Sequence, residues 1–461
     1  MPELGRANTI VPMRSLLTLL LLLIAVSLTS YGTSRVLIGL AGEPLSVEAS
    51  GGFASELAAQ AGRIVHRYEF VNLILAELPE EAVFALATNP SVRFIERDGE
   101  VAAPEPLAVE ELKLTWEWLP WGVERIGADK VHHPPERLSL VLLLILPLVG
   151  FSSRLGRLRR AGLAFLALSL LLMLVGCEPP YIRVRPNTQG YKGAGARVAL
   201  LDSGLDPAHL DLRANYRGGY DFVNGDSQPW DDNGHGTEVA GIVAAAEDGF
   251  GVVGVAPQAE LLAVKILGSD ARGSISDVVK GIEWAIREGA QIVNMSLGTP
   301  EDYQALREAG RAAWAAGLVL VAAAGNESGS VLYPAAYPEV LAVSGTGKDD
   351  RLVFSSNFGP EIDLAAPGEE LPTTYPDGRY RLATGTSFAA AHVTGVAALV
   401  ISSGLRGNGA VRARLEGTAE DLGLARQEQG AGLVDAAHAV LGLLGKTEVA
   451  ASNRARYTQH R

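Results

Sequence analysis

Hydrophobic positions in the C-terminal half of the chain alternate between short apolar runs and stretches with helical spacing. The helical patterns occupy 237–246, 276–288 and 303–316. Continuous apolar runs are typical of strands buried on both faces, and they lie at 197–201, 261–267, 291–295, 318–323 and 341–344. This alternation predicts an α/β fold in which a parallel sheet is covered by helices on both faces.

A second pattern, over residues 35–101, predicts a small separate domain. The order of elements is strand, helix, two strands, helix and strand, with Pro79 and two acids starting the second helix as helix starts prefer. This order predicts an α+β ferredoxin-like sandwich of about 70 residues. Residues 102–118 are then predicted to be an exposed linker, and residues 119–128 a short amphipathic segment.

Three further apolar runs point to export and to a membrane. The first, 16–26, follows Arg6 and Arg14. It predicts an export signal, or an uncleaved anchor, within residues 1–30. The other two, 138–151 and 161–176, enclose an arginine-rich turn.

The paired runs within residues 138–186 have two interpretations. Each run is short for a spanning helix, which needs about 17–25 residues, so a buried helical hairpin in a soluble domain is one of them. The other is a membrane anchor, because neither run has a polar face and the arginine-rich turn suits the cytoplasmic side. In addition, Leu174-Val175-Gly176-Cys177 resembles a bacterial lipoprotein signal with Cys177 as lipid acceptor.

Membrane lipid is therefore an expected partner. The chain after Cys177 is expected at the outer face of the cell membrane, or secreted if the anchor is lost. A formal net charge of −13 over 461 residues argues against nucleic acid as a partner. The single cysteine excludes an internal disulfide framework, and residues 444–461 are predicted to be a polar tail.

Ser387 lies between a Gly-Thr pair and a run of good helix formers, which predicts that it occupies the first turn of a helix. Free N–H groups and the positive end of the helix dipole favour negative charge there. Ser387 is therefore either a helix cap or a nucleophile whose product oxyanion faces N–H donors.

Three other polar residues follow predicted strands or begin a predicted helix. Asp202 directly follows the first buried strand, His235 begins a helix of small residues, and Asn326 closes the strand at 318–323. Taken singly, each is equally well a turn, cap or loop residue. Together they lie where sites form in parallel sheets, and they occur in the order Asp, His, Asn, Ser.

These four stretches resemble the subtilisin-like serine proteases, the subtilase family, over about 122–137 and 191–443. The resemblance extends to 251–257, 294–298, 354–356 and 366–368. It implies a subtilisin-like catalytic domain formed by 119–137 and 187–443, interrupted by the inserted hydrophobic hairpin. The small N-terminal domain similarly resembles the family's propeptide, which assists folding and inhibits the enzyme until it is cleaved.

The resemblance implies a role for each of the four residues. Ser387 would attack the peptide carbonyl, His235 would act as general base, Asp202 would orient His235, and Asn326 would hold the oxyanion. Polypeptides are the implied substrates, no cofactor is needed for the chemistry, and a monomer is expected. The substrate-binding positions implied by the family are Gly273, Ser274, Ser296, Leu297, Gly298, Ala323, Ala324 and Gly325.

Asp211 and Asp248 lie where many relatives bind a structural calcium ion, for which carboxylates are suitable ligands. The alternative is a pair of solvated loop acids. The sequence departs from the family at Ala391, where proline is usual, and at Glu238, where histidine is usual. The carboxylate of Glu238 is expected to raise the pKa of His235 if the two lie close together.

The sequence thus predicts a serine endopeptidase that is made as a zymogen, cuts its own linker between Val101 and Leu119, and is held at a membrane. Two alternatives stay open at this point. One is an inactive subtilase-like binding module, and the other is a mainly membrane-embedded protein in which the catalytic pattern is coincidental.

Overall fold

The computed structural model describes residues 33–41, 53, 57–103, 110–112, 114, 117–132 and 190–441. The predicted signal at 1–30, the apolar segment 138–186 with Cys177, and the tail at 444–461 all lie outside these residues. Within the described ranges, no helix is both long and apolar enough to cross a membrane.

The N-terminal unit is a four-stranded antiparallel sheet with the order β2-β3-β1-β4. Its strands are β1 (Thr33–Leu40), β2 (Arg63–Arg67), β3 (Leu73–Pro79) and β4 (Val92–Arg97). Helix α1 (Glu80–Ala87) begins directly after Pro79, and residues 57–59 are also helical. Leu57 and Leu86 join one apolar cluster with the sheet, in agreement with the predicted order of elements.

Short elements lead from this unit into the main domain: β5 (Glu100–Ala102), β6 (Glu110–Leu112), α2 (Trp121–Arg125) and α3 (Ala128–His132). The expectation of an exposed linker at 102–118 is wrong at Ala103, and other described residues of this segment pair with the main domain. Ala103 is buried, β6 pairs with another strand, and Trp118 forms a bridge to Val252. An extended chain has unpaired N–H and C=O groups, so it can add to any free strand edge.

The main domain is built on seven parallel strands in the order β14-β13-β12-β11-β7-β9-β8. They are β7 (Arg197–Asp202), β8 (Tyr216–Asp221), β9 (Glu260–Lys265) and, after the short β10 (Arg272–Ser274), β11 (Ile292–Met295), β12 (Val319–Ala323), β13 (Val340–Thr346) and β14 (Ile362–Pro367). The five predicted strands are present within one or two residues. The predicted α/β class is confirmed.

Helices cover both faces of this sheet. They are α4 (Leu210–Arg213), α5 (His235–Ala244), α6 (Ile275–Arg287), α7 (Gln304–Ala315), α8 (Thr386–Ser402), α9 (Asn408–Thr418), α10 (Arg426–Gln429) and α11 (Ala436–Leu441). Because side chains alternate along a strand, Val198 and Leu200 of β7 pack in the cluster that contains α5 and α8. Ala199 and Leu201 pack in the cluster that contains α6 and α7.

A hairpin of β15 (Leu371–Tyr375) and β16 (Arg379–Ala383) precedes α8. Strand β6 adds to it as a third strand, with Glu111 opposite Arg381. A separate junction joins α3 to the start of the main sheet. There the amide of Tyr191 donates a 3.0 Å hydrogen bond to the carbonyl oxygen of Val131. The described chain therefore leaves at His132 and resumes at Gly190 beside the same point.

Candidate active site

Asp202 and His235 meet at the carboxyl end of the sheet. Asp202 is the last residue of β7 and His235 is the first residue of α5. The Nδ1 of His235 donates a 2.8 Å hydrogen bond to Oδ1 of Asp202, and both side chains are buried. The other oxygen of Asp202 and Nε2 of His235 have no hydrogen-bond partner among the described residues.

Asp231 organises the loop that carries His235. Its Oδ1 accepts hydrogen bonds from the amide of Gly234 and from Oγ of Ser203, at 2.8 Å each, and its Oδ2 accepts from the amide and hydroxyl of Thr237. These contacts tie the start of α5 to the residue after Asp202. Sequence reasoning missed Asp231, for which the only signal was an Asp-Asp pair just before Asn-Gly-His.

Ser387 is the second residue of α8, as the helix-start pattern predicted. Gly385 precedes the helix with a φ of 154°, and a Cβ there would lie 2.8 Å from the side-chain nitrogen of Asn326. The hydroxyl of Ser387 makes a long 3.5 Å hydrogen bond to the carbonyl oxygen of Ser296. The imidazole of His235 lies beside the same turn, with its ring centroid 5.8 Å from that of Phe388.

The side chain of Asn326 has a fixed orientation. Its Oδ1 accepts hydrogen bonds from both the amide and the hydroxyl of Thr386, each at 2.9 Å. The nitrogen of the same amide lies against Gly385, at the entrance to the helix that carries Ser387. Since Oδ1 is occupied by two donors, the amide nitrogen is the part left to donate to a ligand.

Opposing effects set the pKa of His235. Burial alone would lower it, but the charges of Asp202, Glu238 and Asp231 together raise it above its ordinary value. The expectation for Glu238 is therefore met. Glu238 lies fully buried one turn along α5, where its carboxylate accepts a hydrogen bond from Nε of Arg381.

A cleft of about 750 Å³ runs past His235, and Ala102 and Ala103 form part of its lining. Strand β5 pairs with β10, with Val101 opposite Gly273 and Glu100 opposite Ser274. On the other side, Ala102 exchanges two backbone hydrogen bonds with Gly298, of 3.1 and 2.9 Å. The segment is therefore held as an extra strand between the two backbone walls that the family resemblance assigned to substrate.

The remaining predicted subsite residues lie deeper. Ser296 and Leu297 are fully buried, and Oγ of Ser296 donates to the carbonyl oxygen of Ser387 at 2.9 Å. Ala323, Ala324 and Gly325 are buried as well. The carbonyl oxygens of Ala324 and Gly325 accept hydrogen bonds from Asn357, at 3.2 and 2.9 Å. The wall itself is formed by residues that include Glu327, Gly329, Ser330, Val331, Leu332 and Asn357.

The predicted calcium position brings Asp211 close to the loop that follows α5. Its two oxygens accept hydrogen bonds from Tyr380 and from the amide of Val252, each at 2.9 Å. Burial raises the pKa of Asp211, and the negative charge of Asp248 adds to that rise. Among the described residues, no group of three or more His, Cys, Asp or Glu side chains surrounds a common point.

Comparison with known proteins agrees with this geometry. The model of the subtilase family matches residues 193–433. The M-protease of Shouchella clausii is 34% identical over 81% of this chain and 80% of its own length. Subtilisin E of Bacillus subtilis is 34% identical over 80% of each chain. Subtilisin DY of Bacillus licheniformis is 44% identical over 51% of this chain and 88% of its own length. The chain is therefore a member of the subtilase family and a serine-type peptidase.

Proposed function

We propose that this protein is an endopeptidase that uses Ser387, His235 and Asp202 as a catalytic triad and is made as a self-processing zymogen. The observation that carries the proposal is the 2.8 Å hydrogen bond between Asp202 and His235 beside the helix turn that bears Ser387. The open Nε2 of His235 is the atom that would take the serine proton.

In this mechanism Oγ of Ser387 attacks the peptide carbonyl while Nε2 of His235 accepts its proton. The imidazolium gives that proton to the departing amine, and water then hydrolyses the acyl-enzyme by the same route. Asp202 accepts from Nδ1, so it fixes the tautomer that leaves Nε2 free and stabilises the positive imidazolium. The raised pKa of His235 is consistent with this charge arrangement.

The side-chain amide of Asn326 and the backbone N–H of Ser387 would hold the oxyanion that forms during the attack. Two hydrogen bonds from Thr386 hold the amide before substrate arrives. Such pre-organised donors are effective because they need no rearrangement as charge develops.

The N-terminal unit would act as the inhibitor and folding aid of this zymogen. Its carboxylates contact the N-termini of two helices of the main domain. Asp98 accepts a 2.8 Å hydrogen bond from the amide of Ser276 in α6. Glu96 accepts hydrogen bonds from the amides of Gln304 and Ala305 in α7, at 3.0 and 2.7 Å. Negative charge is favoured at such positions.

The contacts of β5 narrow the proposed self-cleavage region. Ala103 still bonds to the substrate-binding wall, through its amide and the carbonyl oxygen of Ala271. By Glu110 the chain has become part of a different sheet, next to β16. We therefore propose that the self-cleavage site lies between these two residues, and N-terminal sequencing of the mature protein would locate it.

Replacing Ser387 with alanine tests the function as a whole. We expect the variant to lose both self-cleavage and casein hydrolysis, and a fluorophosphonate probe to label the parent but not the variant. Casein hydrolysis that persists in the variant would exclude Ser387 as nucleophile.

Two further proposals concern the setting of the enzyme. We propose export by the segment at 1–30 and tethering through 138–186 or Cys177, which intact mass of the membrane and soluble fractions would test. We also propose that Asp211 and Asp248 hold a structural calcium ion. A chelator should then lower the thermal unfolding temperature of the parent, but not that of an Asp211→Asn variant.

A further inference from the structure

Arg381 lies in the cleft, and its guanidinium group is held on one side, at Nε, while its two terminal nitrogens are available to a ligand. Its Nε donates to the fully buried Glu238, and its guanidinium carbon lies 3.8 Å from the centroid of the Tyr375 ring. The two terminal nitrogens make no hydrogen bond within the described part of the chain, and the residue lines the cleft together with His235 and Asn233. The ring and Glu238 thus hold the guanidinium in a defined place.

The path of the chain shows on which side of the cut Arg381 lies. Residues up to Ala103 pair with the two backbone walls, which bind the part of a substrate that precedes the scissile bond. After the gap in the described residues, Glu110–Leu112 pair with β16, the strand that carries Arg381. A peptide that runs through the cleft in this direction therefore reaches Arg381 after it has passed Ser387, on the side of the departing amine.

Other charges in the described cleft lie elsewhere. Asp270 and Arg272 flank Ala271, whose carbonyl oxygen binds the amide of Ala103, and Arg272 forms an ion pair with Glu100. Glu327 accepts a hydrogen bond from Asn357 on the opposite wall. Arg381 is thus the positively charged residue among those lining the described cleft that lies beyond the cut.

We propose that Arg381 forms a subsite for an acidic side chain on the leaving side of the cut, so that the enzyme favours Asp or Glu just after the scissile bond. This inference rests on the proposed endopeptidase function. A guanidinium offers only donors, in a planar fork that matches a carboxylate. Glu238 neutralises the buried end of Arg381, and the terminal nitrogens remain for substrate.

The chain's own linker has the matching charge. Glu105 lies two residues beyond Ala103 in the sequence, and Glu110 and Glu111 follow. Glu111 is the cross-strand neighbour of Arg381. The linker would accordingly be the first acidic sequence that this subsite meets.

The proposal is tested with enzyme that has matured from the full chain. Its kcat/KM is measured on quenched fluorogenic peptides that differ only in the residue after the cut. A charge-assisted bidentate contact predicts kcat/KM about tenfold higher for Glu than for Gln, and lower still for Lys. Mass spectrometry confirms that each peptide is cut at the same bond.

Variants then assign the preference to Arg381. In the double variant Glu238→Gln, Arg381→Gln, which leaves no unpaired buried charge, the Glu-to-Gln ratio should fall to within about twofold. The ratio is taken within one enzyme, so a change in overall activity cancels. The control is Arg379→Gln, because Arg379 contacts the same Tyr375 ring without lining the cleft, and it should keep the full preference.

A parent enzyme that cuts Glu and Gln peptides equally would overturn the inference, as would a double variant that keeps the preference. If the double variant does not mature, Arg381→Lys decides instead, since it keeps the charge but loses the planar fork and should reduce the ratio without abolishing it. Failure of the parent to cut any peptide, together with an unlabelled Ser387, would reject the proposed function rather than the subsite.

Discussion

Lys265 is among the largest side chains that are fully buried in the described protein, and it bonds to backbone atoms beside Asp202. It is the cross-strand neighbour of Asp202 in the parallel pair of β7 and β9. Its ammonium group donates to the carbonyl oxygens of Ser203 at 2.6 Å and Leu267 at 3.0 Å, and to the carboxylate of Asp232 at 2.5 Å. All three of its donors are therefore used.

Replacing Lys265 with methionine keeps the length of the side chain and removes all three bonds. The carboxylate of Asp232 is half exposed and turns to water at little cost. The carbonyl oxygens of Ser203 and Leu267 lose a buried donor, at about 1–3 kcal/mol each. Relief from burying an ammonium group offsets part of this loss, so we expect a net destabilisation of about 3 kcal/mol.

Thermal unfolding measures this loss best in a Ser387→Ala background, where self-digestion is absent. For a domain of this size, about 3 kcal/mol corresponds to a fall of about 6–12 °C in the unfolding temperature. All variants must be compared at one heating rate, because unfolding of such proteins is often irreversible.

Lys348→Met is the matched control, because Lys348 forms a half-exposed pair with Glu370 at 3.0 Å. Pairs of this kind contribute about 0–1 kcal/mol, so its unfolding temperature should shift by no more than a few degrees. If Lys265→Met unfolds within about 2 °C of its parent, the buried contacts do not support the site and the reasoning fails.

Four other predictions concern catalysis and activation. Asn326→Leu should lower kcat by about 10²–10³-fold with little change in KM, the range known for the equivalent donor in subtilisin; an unchanged kcat would exclude this amide as the oxyanion donor. His235 must be neutral to act as base and its pKa is raised, so kcat/KM should fall on the acid side at a higher pH than for an ordinary histidine. Glu238→Gln removes one of the charges that raise that pKa and should move this limb of the pH profile to lower pH, whereas a shift to higher pH would contradict the assignment. The pair of changes Glu96→Gln and Asp98→Asn removes the carboxylates at two helix N-termini, so activity should appear sooner after self-cleavage in a continuous casein assay; an unaltered lag would show that these contacts do not hold the inhibitor.

The sequence was most informative about the central strands of the sheet, because burial on both faces is the single cause of a continuous apolar run. The five predicted strands are buried on both faces, and their apolar runs reflect that directly. The edge strands β8 and β14 were missed, since Tyr216–Asp221 is half-exposed and carries two glycines, and Ile362–Pro367 includes a charged Asp363. Edge positions do not require a continuous apolar run.

The site residues likewise divide into those that the sequence predicted and those that it did not. The positions of Asp202, His235 and Ser387 at strand and helix ends followed from local pattern and from the family resemblance. Asp231 and Lys265 were not predicted, because their roles depend on backbone and hydroxyl groups that the fold brings to them. The burial of Ala103 was missed for a related reason, since its backbone, rather than its small side chain, holds it in the cleft.

The junction where Tyr191 bonds to Val131 has a consequence for how this enzyme can vary. Because Gly190 and Tyr191 lie beside the end of α3, the fold already holds together the two ends of the segment 133–189. The entropy of closing such a loop grows only slowly with its length. The segment between His132 and Gly190 can therefore change in length at a small entropic cost, without any change to the sheet or the site of the peptidase domain.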